Sequence, residues 1–294
     1  DNFQQSTYIW ENVKLLKQPK IRKSLQEQCV YPFLKNFIQK LNLNIDLENL
    51  EIYHSLNHKS IGSESDIYVR KETHDVRFWN PNNIKLFIDS IDDKEMAKKV
   101  TNYYHIPYGA ISYYLRDFNT QSWYNLIKPL NQICSQQKKE NFCDYIFLNK
   151  RYRNGVKRWK FCEILNEMKH VNNFKTKYRF DVSMYHKVVE AHVPYRFSIA
   201  FENDIVDGWI TEKIFNSFLA GCIPIYDGTD DIYKYFNKDS FINAKDFDSL
   251  EELAKYVIKV DSDEKLYNQY INKAPTTIEK LQKLFWWEPI LGNK

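Results

Sequence analysis

Tyr195-Arg-Phe-Ser-Ile-Ala-Phe-Glu-Asn203, Gly208-Trp-Ile-Thr-Glu-Lys213 and Gly221-Cys-Ile-Pro-Ile-Tyr-Asp-Gly228 are the three stretches that carry the fold. The first is an apolar run that stops at two polar side chains, Glu202 and Asn203, and it predicts a buried strand over Arg196–Glu202. Asp207-Gly208 marks a loop. Thr211–Ala220 places Ile214, Phe215, Phe218 and Leu219 at spacings of three and four, which predicts a helix with one inward face, closed by Gly221. Cys222–Tyr226 predicts a second buried strand, ended by Asp227-Gly228. A strand, a helix and a strand in so short a span form a βαβ unit with parallel strands.

The same rhythm extends outward. Upstream, Cys143–Asn149 predicts another buried strand, followed by a basic loop and a helix over Arg158–Met168. Downstream, Asp248–Val260 is amphipathic with helical period. The chain after residue 140 is therefore expected to be an α/β domain on a parallel sheet. The earlier residues are harder to class. Glu27–Leu43 has helical spacing, Asp66–Arg70 is strand-like, Ile84–Ile91 is apolar, and His105–Leu115 contains a Pro-Tyr-Gly turn signal. The aromatic tail Phe285, Trp286, Trp287 is expected to dock on the body. The expected division is 1–125, 126–275 and a tail at 276–294.

Composition excludes several classes. Only 7 glycines occur among 294 residues, with no GxGxxG and no GxxxxGK[ST], so a glycine-rich phosphate loop is not expected. The formal charge of +4 suits an anionic small ligand and falls short of the basic face of a nucleic-acid binder. No apolar run reaches the roughly 18–20 residues of a transmembrane helix. The cysteines Cys29, Cys134, Cys143, Cys162 and Cys222 are dispersed and odd in number, which reads as free thiols with Cys134–Cys143 as the one candidate bridge. No Asn is followed two positions later by Ser or Thr. Together these features predict a cytoplasmic protein. The histidines show no HExxH spacing, Asp261-Ser-Asp263 suits a helix cap, and no metal site is expected; Asp227–Asp231, which follows a strand, is the better ligand candidate of the two acidic stretches.

Ligands of open parallel sheets bind outside the carboxyl ends of the strands, where helix N-termini present free N–H groups. Asn203–Thr211 is such a loop. A diphosphate there would meet the helix dipole and the Lys213 ammonium, while Glu212 would accept from ribose hydroxyls. Thr211 and Glu212 equally suit a helix cap and first turn. In the preceding loop, Asn149 ends a strand and Lys150, Arg151, Arg153 and Lys157 precede Arg158, which is placed at a helix start and able to clamp a phosphate. Lys150, Arg151 and Arg153 suit a solvated loop better.

These residues resemble the signature of the α1,3/α1,4-fucosyltransferases, which runs Y-K-F-x-x-x-F-E-N, then Y-V-T-E-K, a helix, and P-[IV]-x-x-G. Asp239-Ser-Phe-Ile-Asn243 and Asp246-Phe247 are similar to the family's D-S-F-[IV]-x-x-x-D-F. Phe142–Asn149 and Arg158–Leu165 resemble its strand ending in S-N and its R-x-x-F-x-x-L helix, with Leu148 where the family has Ser. The likeness covers about residues 100–275. It implies a GT-B-like α/β fold, two Rossmann-like domains facing across a cleft, and inverting transfer of L-fucose from GDP-fucose to a glycan or glycoconjugate hydroxyl, of α1,3 type. No cofactor is implied, though stimulation by a divalent cation is compatible with it. Arg158 and Lys213 are then expected to hold the diphosphate and Glu212 the ribose, with Glu202, Asn203, Thr211, Trp209 and Asn149 lining the donor site. Trp209 stands where the family has Tyr, and Asp181–Lys187 is expected near the base. The family's catalytic carboxylate context is missing; Glu72 is the candidate general base, with Asp75 and Glu64 as competitors. Transfer from another GDP-sugar, or a non-catalytic glycan- or nucleotide-binding module, are the alternatives.

Overall fold

The computed structural model describes residues 31–45, 52–54, 67–70, 84–117, 121–146, 153–173 and 185–287. Its contacts divide the chain into two units. One comprises Asp1–Gln121, Val206–Trp209 and Gln282–Lys294, the other Ser122–Ile205 and Ile210–Leu281.

The first unit contains α1 (Tyr31–Leu41), β1 (Ile52–His54), β2 (Ile67–Arg70), β3 (Leu86–Asp89), α2 (Lys94–Ala97), β4 (Tyr103–His105) and α3 (Tyr108–Asp117). Its strands pair in parallel in the order β1-β2-β3-β4. All of β3 is buried, as expected of a parallel strand covered on both faces. At its end the buried Asp89 carboxylate accepts from the Ile91 N–H at 3.0 Å and the Tyr103 hydroxyl at 2.9 Å, which fixes the exit of the chain. The Pro-Tyr-Gly signal opens α3 and is not a turn. Proline lacks an N–H, and the first turn of a helix does not need one; the Pro107 carbonyl accepts from Ala110 and Ile111 at 3.0 and 3.3 Å. Trp286 lies against Phe37 and Tyr104, and Trp287 against Tyr114.

The second unit contains β5 (Asn141–Tyr145), α4 (Arg153–Met168), β6 (Val171–Asn173), α5 (Tyr185–His192), β7 (Tyr195–Phe201), α6 (Glu212–Leu219), β8 (Ile223–Asp227), α7 (Ile232–Tyr235), β9 (Ile242–Asn243), α8 (Leu250–Ser262) and α9 (Glu264–Ile271). The strand order is β6-β5-β7-β8-β9, all parallel. The order reverses between β5 and β7, since the connection after β5 leads to one side of the sheet and that after β7 to the other. Ligands of such sheets bind outside the carboxyl ends of the strands at this switch point.

Local chemistry sets the ends of the elements. Glycine is required at 221: its φ is +70°. Its N–H donates to the Phe218 carbonyl at 2.8 Å and the Cys222 N–H to Ser217 at 3.0 Å, a Schellman closure of α6. Asp263 caps α9, accepting from Lys265 and Leu266, and Asp261 pairs with Arg196. Helix α4 begins at Arg153, five residues before the expected start at Arg158. Its buried stripe is Asn154, Gly155, Arg158, Phe161, Cys162 and Leu165. The stripe starts with polar residues, so periodicity in apolar residues alone misses its first turn. Cys134, Cys143, Cys162 and Cys222 are free thiols, and the candidate Cys134–Cys143 bridge is not formed. Cys143 lies inside β5, buried, whereas Cys134 is exposed.

A Cβ at position 221 would stand 2.6 Å from the Ile133 carbonyl oxygen in addition to the strain of positive φ. Gly221→Ala is therefore expected to lower stability by about 2 kcal/mol or more, read from the midpoint of denaturant unfolding. An unchanged midpoint contradicts the assigned role.

Candidate functional site

The carboxyl end of β7 delivers Glu202, whose side chain is fully buried. It reaches forward to the start of α6. One carboxylate oxygen accepts the Thr211 N–H at 2.7 Å, and the other accepts the Thr211 hydroxyl at 2.6 Å and the Lys213 ammonium at 3.1 Å. Lys213 Nζ also donates to Thr211 Oγ1 at 2.8 Å and lies 3.7 Å from Glu212. The helix N-terminus expected to receive a phosphate thus already holds a carboxylate of the protein. An ammonium has three N–H groups, and Glu202 and Thr211 engage two of them. Burial pushes the Glu202 carboxyl up, opposed by Lys213 and the Thr211 donors. Burial disfavours the Lys213 cation, but Glu202 and Glu212 outweigh it and raise its pKa, so the ammonium stays charged.

Close approach is needed behind the carboxylate. A Cβ on Gly228 would meet the Tyr226 hydroxyl at 2.2 Å and Glu202 Cγ at 3.0 Å.

Helix α4 closes the other side. Arg158 occupies its second turn, not its start, and is 1% exposed. Its Nη1 donates to the Phe201 carbonyl at 3.1 Å and to Asn203 Oδ1 at 2.8 Å. Burial pulls the guanidinium down to about 10, against the opposing pull of Glu202 and Glu212, and it remains charged at neutral pH. Arg158 is bonded to Phe201 and Asn203 and Lys213 to the intervening Glu202, so both cations are tied to the same three residues at the end of β7. Three further ties come from the same helix. Asn154 Nδ2 donates to the Glu202 carbonyl at 3.1 Å, Arg153 pairs with Asp204 at 2.9 Å, and Lys157 pairs with the fully buried Asp227 at 2.8 Å. Asn154 and the Lys157–Asp227 pair were not singled out from sequence. The i, i+3, i+4 spacing of 154, 157 and 158 was the available signal.

The structure therefore brings together Arg158, Glu202, Asn203, Thr211, Glu212 and Lys213 at the switch point. Trp209 belongs to the other unit, where it stacks on Tyr108 at 6.1 Å in a cluster with Ile91 and Val206. The preceding Gly208 carbonyl is 3.0 Å from His105 Nε2. Glu72, its competitors Asp75 and Glu64, Asn149, Lys150, Arg151, Cys29 and residues 181–184 of the segment placed near the base lie outside the described residues. A buried Asp144–His192–Ser198 constellation also exists, but Asp144 and Ser198 both approach His192 Nδ1, at 2.8 and 3.2 Å. A nucleophile and an orienting acid would need opposite ring nitrogens, so this group is a tie between β5, α5 and β7. Among the described residues no group of His, Cys, Asp or Glu forms a metal-binding cluster.

Residues 114–288, more than half of the chain, match the family model described as glycosyltransferase family 10 (fucosyltransferase), C-terminal. Over 79 residues the chain is 46% identical to mouse 4-galactosyl-N-acetylglucosaminide 3-alpha-L-fucosyltransferase 9, and this stretch is 26% of the chain and 22% of the relative. The human counterpart is 44% identical over 79 residues, with the same shares. The matched stretch thus spans about a fifth of these curated relatives. The fold resembles a crystal structure of an alpha1,3-fucosyltransferase with GDP, at a TM-score of 0.61 and 17% identity, covering 92% of this chain and 85% of that one. A second alpha1,3-fucosyltransferase structure gives 0.52 and 20%, with 78% of each chain covered. The α/β architecture is that of these GT-B structures.

The expectation of a cytoplasmic protein is corrected by the relatives, because fucosyltransferase homologues are Golgi-luminal type II membrane proteins. Dispersed free thiols and a missing sequon do not fix a compartment. Among the described residues no helix is long and apolar enough to cross a membrane.

Glu202→Ala leaves the Lys213 ammonium, only 17% exposed, without its carboxylate. A loss of about 3 kcal/mol in unfolding free energy is expected, measured by denaturant titration. A change below about 1 kcal/mol would show that the carboxylate does not anchor α6.

Proposed function

The chain belongs to the fucosyltransferases of glycosyltransferase family 10, and from this premise we propose that it transfers L-fucose from GDP-fucose to a hydroxyl of a glycan acceptor, with inversion and α1,3 linkage. One observation supports this most: two cations, the buried Arg158 and the half-buried Lys213, are both tied to the end of β7 at the switch point of a parallel sheet, in this family's own motif. In the reaction the bond from the anomeric carbon to the β-phosphate oxygen breaks, and the acceptor oxygen forms its bond on the opposite face. The leaving GDP gathers negative charge, which Arg158 and Lys213 offset without a metal. Their charges are fixed before substrate arrives, because Asn203 and the Phe201 carbonyl orient the guanidinium and Glu202 orients the ammonium. Glu212, beside Lys213, accepts from the ribose hydroxyls. The acceptor proton goes to a carboxylate, for which Glu72 is our candidate. Asn149 and Trp209 complete the donor-site assignment. Acceptor choice follows the names of the relatives, which act on galactosyl-N-acetylglucosaminides.

Incubation with GDP-fucose and N-acetyllactosamine is expected to release GDP, and absence of both turnover and GDP binding contradicts the proposal. Arg158→Ala and Lys213→Ala should each weaken GDP binding by about 10- to 100-fold, the effect of a lost charge-assisted hydrogen bond. Glu72→Gln should lower kcat by about 10²-fold or more with GDP affinity intact. Full turnover in Glu72→Gln would move the base to another carboxylate.

A further inference from the structure

Outside the cation cluster, the second unit carries a cavity of about 650 Å³ beside β9, the edge strand of its sheet. That volume falls within the roughly 300–1,000 Å³ of small-ligand sites. None of its lining residues belongs to the cluster of Arg158 and Lys213. We propose that this cavity is a second saccharide-binding site, one that holds a neutral portion of a glycan away from the reacting centre.

The lining favours that chemistry. Five aromatic side chains face the cavity: Tyr233, Phe241, Phe247, Tyr256 and Tyr270. Tyr233 and Phe241 stack at 5.9 Å, and Phe247 and Tyr256 meet at 5.1 Å, so the rings form packed walls and not separate flaps. Such walls suit the C–H faces of sugar rings. Between them are Lys238, Asp239, Asn243, Asp246, Gln269 and Lys273. Two ammonium and two carboxylate groups balance, which gives no surplus charge for a nucleotide or another polyanion. A polyhydroxylated ring uses both kinds, since carboxylates accept from hydroxyls while ammonium and amide groups donate to their oxygens.

Several of these groups are already oriented. Asn243 Nδ2 donates to the Tyr233 hydroxyl at 2.6 Å, and its Oδ1 accepts the Lys245 N–H at 3.1 Å. The Tyr256 and Tyr270 hydroxyls share one hydrogen bond of 2.9 Å, so one phenolic hydrogen of the pair is left to be offered to a ligand. Preorganisation of this kind lowers the ordering cost of binding. The choice of a saccharide over other neutral polar ligands rests on the transfer reaction proposed above; the cavity and its lining do not.

The test titrates the whole chain, saturated with GDP, with the neutral tetrasaccharide lacto-N-neotetraose, read by calorimetry and saturation-transfer NMR. Inorganic pyrophosphate is the anionic control. Saturable binding is expected. Asp246→Ala should weaken it about tenfold, the loss of an acceptor for sugar hydroxyls, and Phe247→Ala should weaken it comparably, while both variants bind GDP as the wild type does. In turnover assays the same variants should raise KM for the tetrasaccharide, leaving kcat and the KM for N-acetyllactosamine unmoved. Equal tetrasaccharide affinity in wild type and both variants overturns the proposal. So does pyrophosphate displacing the sugar, or a wild type that binds GDP but not the tetrasaccharide. Loss of GDP binding or turnover in the wild type instead counts against the transfer reaction, and the NMR titration without GDP then decides the cavity alone.

Discussion

The contact on which the site depends is a buried carboxylate set at the start of a helix. Glu202 ends the central strand β7, and its oxygens accept the backbone N–H and hydroxyl of Thr211 and the ammonium of Lys213. Taking a carboxylate out of water is costly, and attraction to Lys213 and the helix dipole has to offset that cost. Charge pairs of this kind are often no more stable than an apolar replacement. What Glu202 supplies is position: the direction in which Lys213 points is set before any ligand arrives. The absence of a side chain on Gly228 allows the carboxylate to sit where it does.

Helix α4 does the corresponding work on the other side. Its first two turns carry Arg153, Asn154, Lys157 and Arg158, which engage Asp204, the Glu202 carbonyl, Asp227, and Asn203 with the Phe201 carbonyl. Four side chains of one helix therefore secure the ends of β7 and β8. A guanidinium held at 1% exposure has little freedom to lose when it meets a phosphate, and its contacts act in a surrounding of low dielectric.

Most of the second unit was legible because its strands are continuous apolar runs and its helices show a clear apolar stripe, as in β7 and α6. Boundaries failed where the inward face is polar. Asn154 and Arg158 face inward, and a reading based on apolar residues takes Asn154 for loop and Arg158 for the helix start. The same limit hid the Lys157–Asp227 pair, since a lysine in a basic run looks solvated. In the first unit the strand-like Asp66–Arg70 forms β2, but β1, β3 and β4 are three or four residues long, too short for periodicity to separate strand from loop. The role of Glu202 was foreseen only as lining. Sequence shows that it stands at a strand end but not that its carboxylate takes the donors of the next helix. The compartment was misjudged because dispersed thiols and a missing sequon do not fix where a protein resides.

The most direct measurement is a crystal structure of the chain with GDP bound. The account predicts that pyrophosphate oxygens lie within hydrogen-bond distance of both the Arg158 guanidinium and the Lys213 ammonium, with Glu202 still seated on Thr211. A diphosphate bound elsewhere, with those two cations untouched, would contradict it.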